Sequence, residues 1–380
     1  MKHPVYLDYN ATTPVDSEVA KEMIPYIESF YGNPSSSYSI GRSNKEAVEK
    51  ARAQVAKLIN CLPEEIYFTS CATESNNLAI KGIAWANRNN GLHIITSKIE
   101  HPAVTEVCKH LSSQGFEITY LPVDKSGRID PKDVENAIRK GTILITIMHA
   151  NNEVGTIQPI QEIGAIARKN KISFHTDASQ SVGKIETNVD LLMVDLLTIA
   201  GHKLYAPKGI GALYIRKGTP IENLMHGGGQ EKGIRPGTEN VIHTVGLGKA
   251  CDMALRDFRQ NRENMRVSRD RLLNGLVSRL GNQVHVNINF ENCLPNTLSV
   301  AFESISAHTL ASFISNDVLI STGSACHSGE TTISSVLQAM NIDFRTAAAT
   351  VRISTGKSTT EEEIDFATEV LVNAVKKLSI

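Results

Sequence analysis

The sequence predicts an α/β protein: a mainly parallel, seven-stranded sheet between helices, with a smaller α+β domain after it. Three observations predict this. Helical and strand patterns alternate strictly from residue 17 to residue 215, the mark of a parallel sheet covered on both faces. After about Thr238 the pattern turns to a long helical stretch rich in Arg and Glu, then to short strands mixed with helices. The chain has 380 residues, 41% hydrophobic and 21% charged, enough apolar material for a large core in two or three domains.

The elements follow in order. Residues 17–30 carry Val19, Met23, Ile27 and Phe30 at helical spacing, and residues 44–59 put Ala47, Val48, Ala51, Val55, Leu58 and Ile59 on one helix face. Seven strand-like runs come next, at 66–69, 93–96, 117–121, 143–148, 172–176, 195–199 and 211–215. Helices at 73–87, 102–114, 131–139 and 159–169 separate the earlier ones, three of them opening on proline at an allowed first-turn position. Residues 239–280 read as one long helix or a helix pair. Strands are expected at 284–288, 297–302 and 350–354, and helices at 307–315, 333–340 and 361–378. The last helix has a strong start, Ser358-Thr359-Thr360 followed by three glutamates at the positive end of the dipole.

Charge and composition exclude several classes. Lys+Arg number 39 and Asp+Glu 40, for a net charge of −1, so the electrostatic footprint of a nucleic-acid binder is missing. The most apolar stretch, 191–200, is broken by Asp195, well short of the ~18 residues of a membrane span. Residues 1–10 have no apolar signal core, so the expectation is a cytoplasmic protein with reduced thiols. The six cysteines (61, 71, 108, 251, 293 and 326) form no C-x-x-C pair, and no metal site is expected.

Some familiar motifs fail on inspection. Gly356-Lys357-Ser358 resembles a P-loop ending, but Val351 stands where the first glycine belongs. Gly227-Gly228-Gly229 has Lys232 where a dinucleotide fingerprint needs its last glycine, and no G-x-S-x-G elbow accompanies His226-Gly227-Gly228-Gly229.

Four polar clusters at strand ends remain, where open α/β sheets bind ligands. Residues 70–77, small and hydroxylated at a helix start, suit either a phosphate or a plain N-cap. His101, just before a helix, suits an aromatic cofactor or a cap. Asp177, after an apolar strand, suits a cationic ring nitrogen or a cap. Lys203 follows a buried strand and small residues, so it is either a desolvated, reactive amine or a surface lysine. Taken together, a Schiff-base lysine, an aspartate for a pyridinium nitrogen and a phosphate cup compose a pyridoxal 5'-phosphate site.

At this point the chain resembles the cysteine desulfurases of the NifS/IscS type, in the class V aminotransferase group of pyridoxal phosphate enzymes. The segments that carry the resemblance are 6–14 (YLDYNATTP), 32–36 (GNPSS), 72–77 (ATESNN), 151–155 (NNEVG), 201–203 (GHK), 227–231 (GGGQE), 323–326 (GSAC) and Arg352. The resemblance implies fold type I of the pyridoxal phosphate transferases. It implies a large cofactor-binding domain over 15–255, and a small domain from 1–14 and 256–380 that carries a catalytic loop at 321–332. Lys203 would bind the cofactor, Asp177 would pair with its ring nitrogen, and His101 would stack on the ring and assist proton transfer. Gln180 and Asn152 would lie near the ring hydroxyl and the substrate. Ala72, Thr73, His202 and the backbone of Ala200 would hold the phosphate, joined by Thr238 from the neighbouring subunit of a homodimer. Arg352, with Asn33, would clamp the substrate carboxylate.

Cys326 matches the family's nucleophile. Residues 321–332 hold two glycines and almost no apolar mass, so the loop is expected to move. His327 beside it favours a thiolate when charged, and an exposed loop histidine accounts for it equally well. The other five cysteines read as structural, although Cys71 replaces a common family glycine beside the phosphate cup. Ala200 stands where many desulfurases have a serine, a feature shared with selenocysteine lyases. The expected activity is conversion of L-cysteine to L-alanine, leaving a persulfide on Cys326. The sulfur would pass to an acceptor such as an iron–sulfur scaffold protein. The alternative is a selenocysteine lyase acting on L-selenocysteine.

Overall fold

The structure, a computed structural model, describes residues 4–322, 326–327, 330–331 and 333–379; at 326–327 and 330–331 it describes the backbone only. The chain opens with β1 (Val5–Tyr6), α1 (Ser17–Glu28) and α2 (Ser39–Ile59). Asp16 caps α1 by accepting from the Glu18 N–H at 2.8 Å. The helix ends before the expected residue 30, burying Val19 and Met23 while Ile27 and Phe30 stand exposed. α2 begins five residues ahead of Asn44. The Asn44 amide donates to the carbonyls of Phe30 and Gly32, holding the preceding loop down rather than starting a helix.

The central sheet follows: β2 (Ile66–Thr69), β3 (His93–Ser97), β4 (Glu117–Leu121), β5 (Thr142–Thr146), β6 (Ser173–Asp177), β7 (Leu196–Ala200) and β8 (Gly211–Ile215). Its spatial order is β2-β8-β7-β6-β5-β3-β4. Neighbours from β7 through β4 are parallel, whereas β8 runs antiparallel to both β7 and β2. The reason is the connection: only residues 201–210 join β7 to β8, too few for the crossover a parallel neighbour requires. Between the strands lie α3 (Ala72–Ala86), α4 (Pro102–Ser113), α5 (Pro131–Ala137), α6 (Ile160–Lys169) and the short α7 (Val189–Leu192). Apart from the edge strand β4, the strands are almost wholly buried, which is why they read as largely apolar runs.

The stretch 239–280 is a helix pair, α8 (Val241–Arg256) and α9 (Phe258–Leu280), separated at Asp257. α8 joins the first core through Val241, Val245, Leu247 and Met253, while α9 gives Leu272, Leu276 and Leu280 to a second one. The second core covers an antiparallel sheet of order β12-β15-β10-β9, from β9 (Val284–Val286), β10 (Thr297–Phe302), β12 (Ser321–Thr322) and β15 (Thr350–Ser354). Between them come α10 (Ala307–Ile314), β11 (Val318–Leu319), the hairpin β13 (Cys326–His327) and β14 (Glu330–Thr331), α11 (Ser335–Ala339) and α12 (Phe344–Ala348). β1 pairs with β11 in parallel, bringing the N-terminus to this second unit. α13 (Glu361–Leu378) closes the chain with a full capping box: Thr360 accepts from the Glu363 N–H, and Glu363 accepts from the Thr360 N–H.

Candidate active site

The carboxyl ends of β3, β5, β6 and β7 face one cavity of about 390 Å³. Ala72, Thr73, His101, Asn152, Asp177, Gln180, Ala200, His202, Lys203 and Arg352 all line it, together with Cys71, Asn10 and Ala11. Residues as far apart in sequence as Asn10 and Arg352 therefore meet in one place, because parallel strands deliver their carboxyl ends to the same edge. β15 of the second sheet adds Arg352, so the cavity lies between the two cores.

Asp177, the last residue of β6, is only 6% exposed. Its Oδ2 accepts from Asn76 Nδ2 at 2.7 Å, and its Oδ1 accepts from the Ser179 N–H at 2.9 Å and hydroxyl at 2.5 Å. Three donors make this a fixed, anionic acceptor. His175 lies two residues back on the strand between the hydroxyls of Thr146 and Thr198, and burial keeps it neutral, with its pKa pushed down to about 4.

Lys203 follows β7 in a single turn of 3-10 helix. Its Nζ donates to the carbonyls of Asn10 at 2.5 Å and Ala11 at 2.7 Å. Burial and the Arg352 charge push its pKa down to about 8, against opposing pulls from Asp8 and Asp177. A sizeable neutral fraction at neutral pH is what a nucleophilic amine needs. His202 Nδ1 lies 3.1 Å from Thr12 Oγ1, and burial lowers its pKa to about 4, so it is a neutral ring.

His101 is the N-cap of α4, its Nδ1 accepting from the Ala103 N–H at 3.1 Å. That bond puts the neutral ring's proton on Nε2, and desolvation lowers the pKa further despite Asp177. Beneath it Glu100 is buried, accepting from Ser97 Oγ at 2.5 Å and from the Met148 N–H at 3.0 Å; burial pushes its pKa up to about 8. Arg352 donates to Asp8 Oδ1 at 2.6 Å and to the Asn152 carbonyl at 3.1 Å, while its buried Nε has no partner. At the start of α3, Cys71 gives no side-chain cap, so the first N–H groups, those of Ala72 and Thr73, are free to hold an anion.

A pyridoxal phosphate fits this donor set: uncapped helix N–H groups for the phosphate, a buried carboxylate for the ring nitrogen, and a lysine of lowered pKa for the aldehyde. Two expected residues lie elsewhere. Asn33 is exposed and caps its own turn, accepting from the Ser35 N–H at 2.9 Å. Thr238 is exposed in the loop before α8. The side chain of Cys326 lies outside the described residues, as do residues 323–325, 328–329 and 332 of the expected loop. Among the described residues, no group of three or more His, Cys, Asp or Glu side chains is arranged to hold a metal ion.

Sequence reading assigned no role to Asp8, Asn10, Asn76 or Ser179. Asn76 was within reach, since it follows cavity-lining Ala72 by four residues and so shares its helix face. Asn10 was not: its main-chain and side-chain contacts reach Lys203, Gln180, Asn152, Asn296 and Thr297, and nothing local announces partners so distant.

The model of the family described as aminotransferase class-V matches residues 5–366. The chain is 48% identical over 379 residues to a cysteine desulfurase IscS of Dictyoglomus turgidum, covering 100% of this chain and 96% of that one. Among solved structures it is similar to a NifS-like protein, with a TM-score of 0.92 and 42% identity over 99% of both chains. It is also similar to SspA in complex with cysteine, with a TM-score of 0.83 and 40% identity over 93% of this chain and 99% of that one.

Proposed function

This chain belongs to the aminotransferase class-V family, and from that premise we propose that it is a pyridoxal phosphate-dependent cysteine desulfurase. It converts L-cysteine to L-alanine and leaves the sulfur as a persulfide on Cys326. The observation that carries this reading is the meeting of Lys203 and Asp177 in one cavity below the uncapped start of α3. The names of its relatives support the desulfurase over the selenocysteine lyase, and the fold is that of the pyridoxal phosphate proteins of the NifS type.

When bound, the cofactor supplies an electron-withdrawing ring that takes up charge as the substrate Cα–H bond breaks. The protein does the rest. The N–H groups of Ala72 and Thr73, with His202 and the backbone of Ala200, hold the phosphate. Asp177, locked by Asn76 and Ser179, keeps a negative charge against the ring nitrogen. His101 would stack on the ring, and Gln180 and Asn152, which line the same cavity, would face the ring oxygen and the substrate. Arg352, which lines the cavity, would receive the substrate carboxylate, with Asn33 as its proposed second contact. Lys203, its pKa near 8, moves a proton between the substrate Cα and its own Nζ.

The Cys326 thiolate attacks the substrate sulfur. The carbon–sulfur bond breaks, its electron pair stays on carbon and takes a proton, and the products are alanine and the Cys326 persulfide. Sulfur then passes to an acceptor protein of the iron–sulfur scaffold class. The reading puts the chain in the cytoplasm, where thiols stay reduced. It also makes the chain a homodimer in which Thr238 serves the neighbouring site. The exposed Ile24, Ile27, Phe30 and Tyr31 support a covered surface near α1.

The test is product analysis on the purified protein with cofactor, given cysteine and selenocysteine side by side. Alanine and protein persulfide from cysteine are expected, and Cys326→Ala should form neither from cysteine while keeping the cofactor. Alanine from selenocysteine alone would make the lyase correct instead.

A further inference from the structure

Lys184 is a lysine at only 6% exposure that the mechanism above does not use. The tight turns after β6 bring it back over Gln180: the Val182 N–H donates to Ala178, and the Lys184 and Ile185 N–H groups donate to Ser181. Its Nζ donates to Gln180 Oε1 at 3.1 Å and to Asn10 Oδ1 at 3.3 Å. Among the described residues it makes no ion pair, although Lys203 and Arg352 add positive charge nearby. Burial and those two cations push its pKa down to about 7. Holding an unpaired amine here is costly.

The geometry shows what the amine achieves. A primary amide can sit in either of two orientations, and a lysine ammonium can only donate. As an ammonium, Lys184 therefore holds Gln180 Oε1 as its acceptor and commits Nε2 to the opposite side, in the same sense as the Asn10 carbonyl. One Nε2 hydrogen goes to the Asn10 carbonyl at 2.9 Å, the same carbonyl that accepts from Lys203. The second is left for the cavity that Gln180 lines.

We propose that Lys184 is a positioning residue that orients the Gln180 amide, so that a donor rather than an acceptor faces the anionic ring oxygen of the cofactor. This rests on the cofactor reading above. A donor there stabilises the oxygen's negative charge and weakens its hold on the proton it shares with the lysine nitrogen. Loss of the donor should therefore raise the pH at which the visible band of the lysine-bound cofactor titrates.

The experiment is that titration on the holoenzyme for Lys184→Met, Gln180→Ala and the double variant. Each single change should raise the midpoint by about one pH unit, the size of one hydrogen bond. The double variant should move no further than either single one. Lys184→Gln, whose amide can still donate to Gln180 Oε1, should stay near the unsubstituted value. A shift from Lys184→Met that persists undiminished in the Gln180→Ala background would mean that Lys184 acts only as a bare charge, and would overturn the proposal. An unmoved midpoint would do the same. Absence of any visible band in the unsubstituted protein would overturn the cofactor reading itself, a result distinct from a band that fails to move.

Discussion

Asp177 matters for its charge, and its neighbours separate charge from shape. Asn76 and Ser179 hold both carboxylate oxygens, so Asp177→Asn keeps the size of the group, removes the charge and turns one accepting oxygen into a donor that Asn76 can meet by turning its amide over. The proposed site should then bind cofactor and keep its colour, while alanine formation falls on the order of 100-fold or more. Steady-state assays beside absorption spectra check this, and an unchanged rate would remove Asp177 from the mechanism. Glu100 makes a different prediction. Its pKa is 4.5 when exposed and is pushed up to about 8 in the fold, so between those values the folded chain keeps a proton that the unfolded chain has lost. Its contribution to stability therefore falls as pH rises through that window. Glu100→Gln should flatten the decline, as read by urea denaturation at several pH values. The two residues were unequally legible in sequence. Asp177 ends an apolar strand, where an acid stands out. Glu100 sits beside His101 with nothing to mark its burial, because burial is a property of the packed sheet.

Helix and strand boundaries follow the same division. The strands of the central sheet were legible because burial on both faces leaves apolar runs. The start of α2 was not, because Asn44 resembles a cap and spends its amide on Phe30 and Gly32 instead. β1, β11 and β12 are two residues each, too short to leave a period. The packing of α2 on α8 yields a test at this scale. Gly248 lies where a Cβ would come within 2.5 Å of Ala51 Cα and 2.6 Å of Ala51 Cβ. Only a glycine permits that approach, and the contact meets backbone, which cannot rotate away. Gly248→Ala should force the two helices apart and cost about 1–3 kcal/mol, measured as a lower urea midpoint at unchanged slope. Retained stability would mean that α8 shifts without strain.

At the scale of the molecule, the cavity depends on two cores meeting. The sheet edge supplies Asp177 and Lys203, and β15 supplies Arg352. The proposed division at 255/256 falls beside Asp257, where α8 gives way to α9. The proposed dimer adds a third contributor, and Thr238 is the residue that can expose it. Thr238 is exposed and does not line the cavity of its own chain. If it serves the partner's phosphate, Thr238→Glu sets a carboxylate against that phosphate and should abolish cofactor retention in the homodimer, just as Lys203→Ala should abolish turnover. A dimer with two-fold symmetry exchanges equivalent groups, so mixing the two variants makes an unequal pair of sites. One site combines Lys203→Ala with the partner's Thr238→Glu and is doubly broken. The other combines an intact Lys203 with an intact Thr238 from the Lys203→Ala chain. Co-expressed, differently tagged chains purified as mixed dimers should therefore regain about half the unsubstituted activity per dimer. If Thr238 acts within its own chain, every site keeps one lesion and mixing restores nothing.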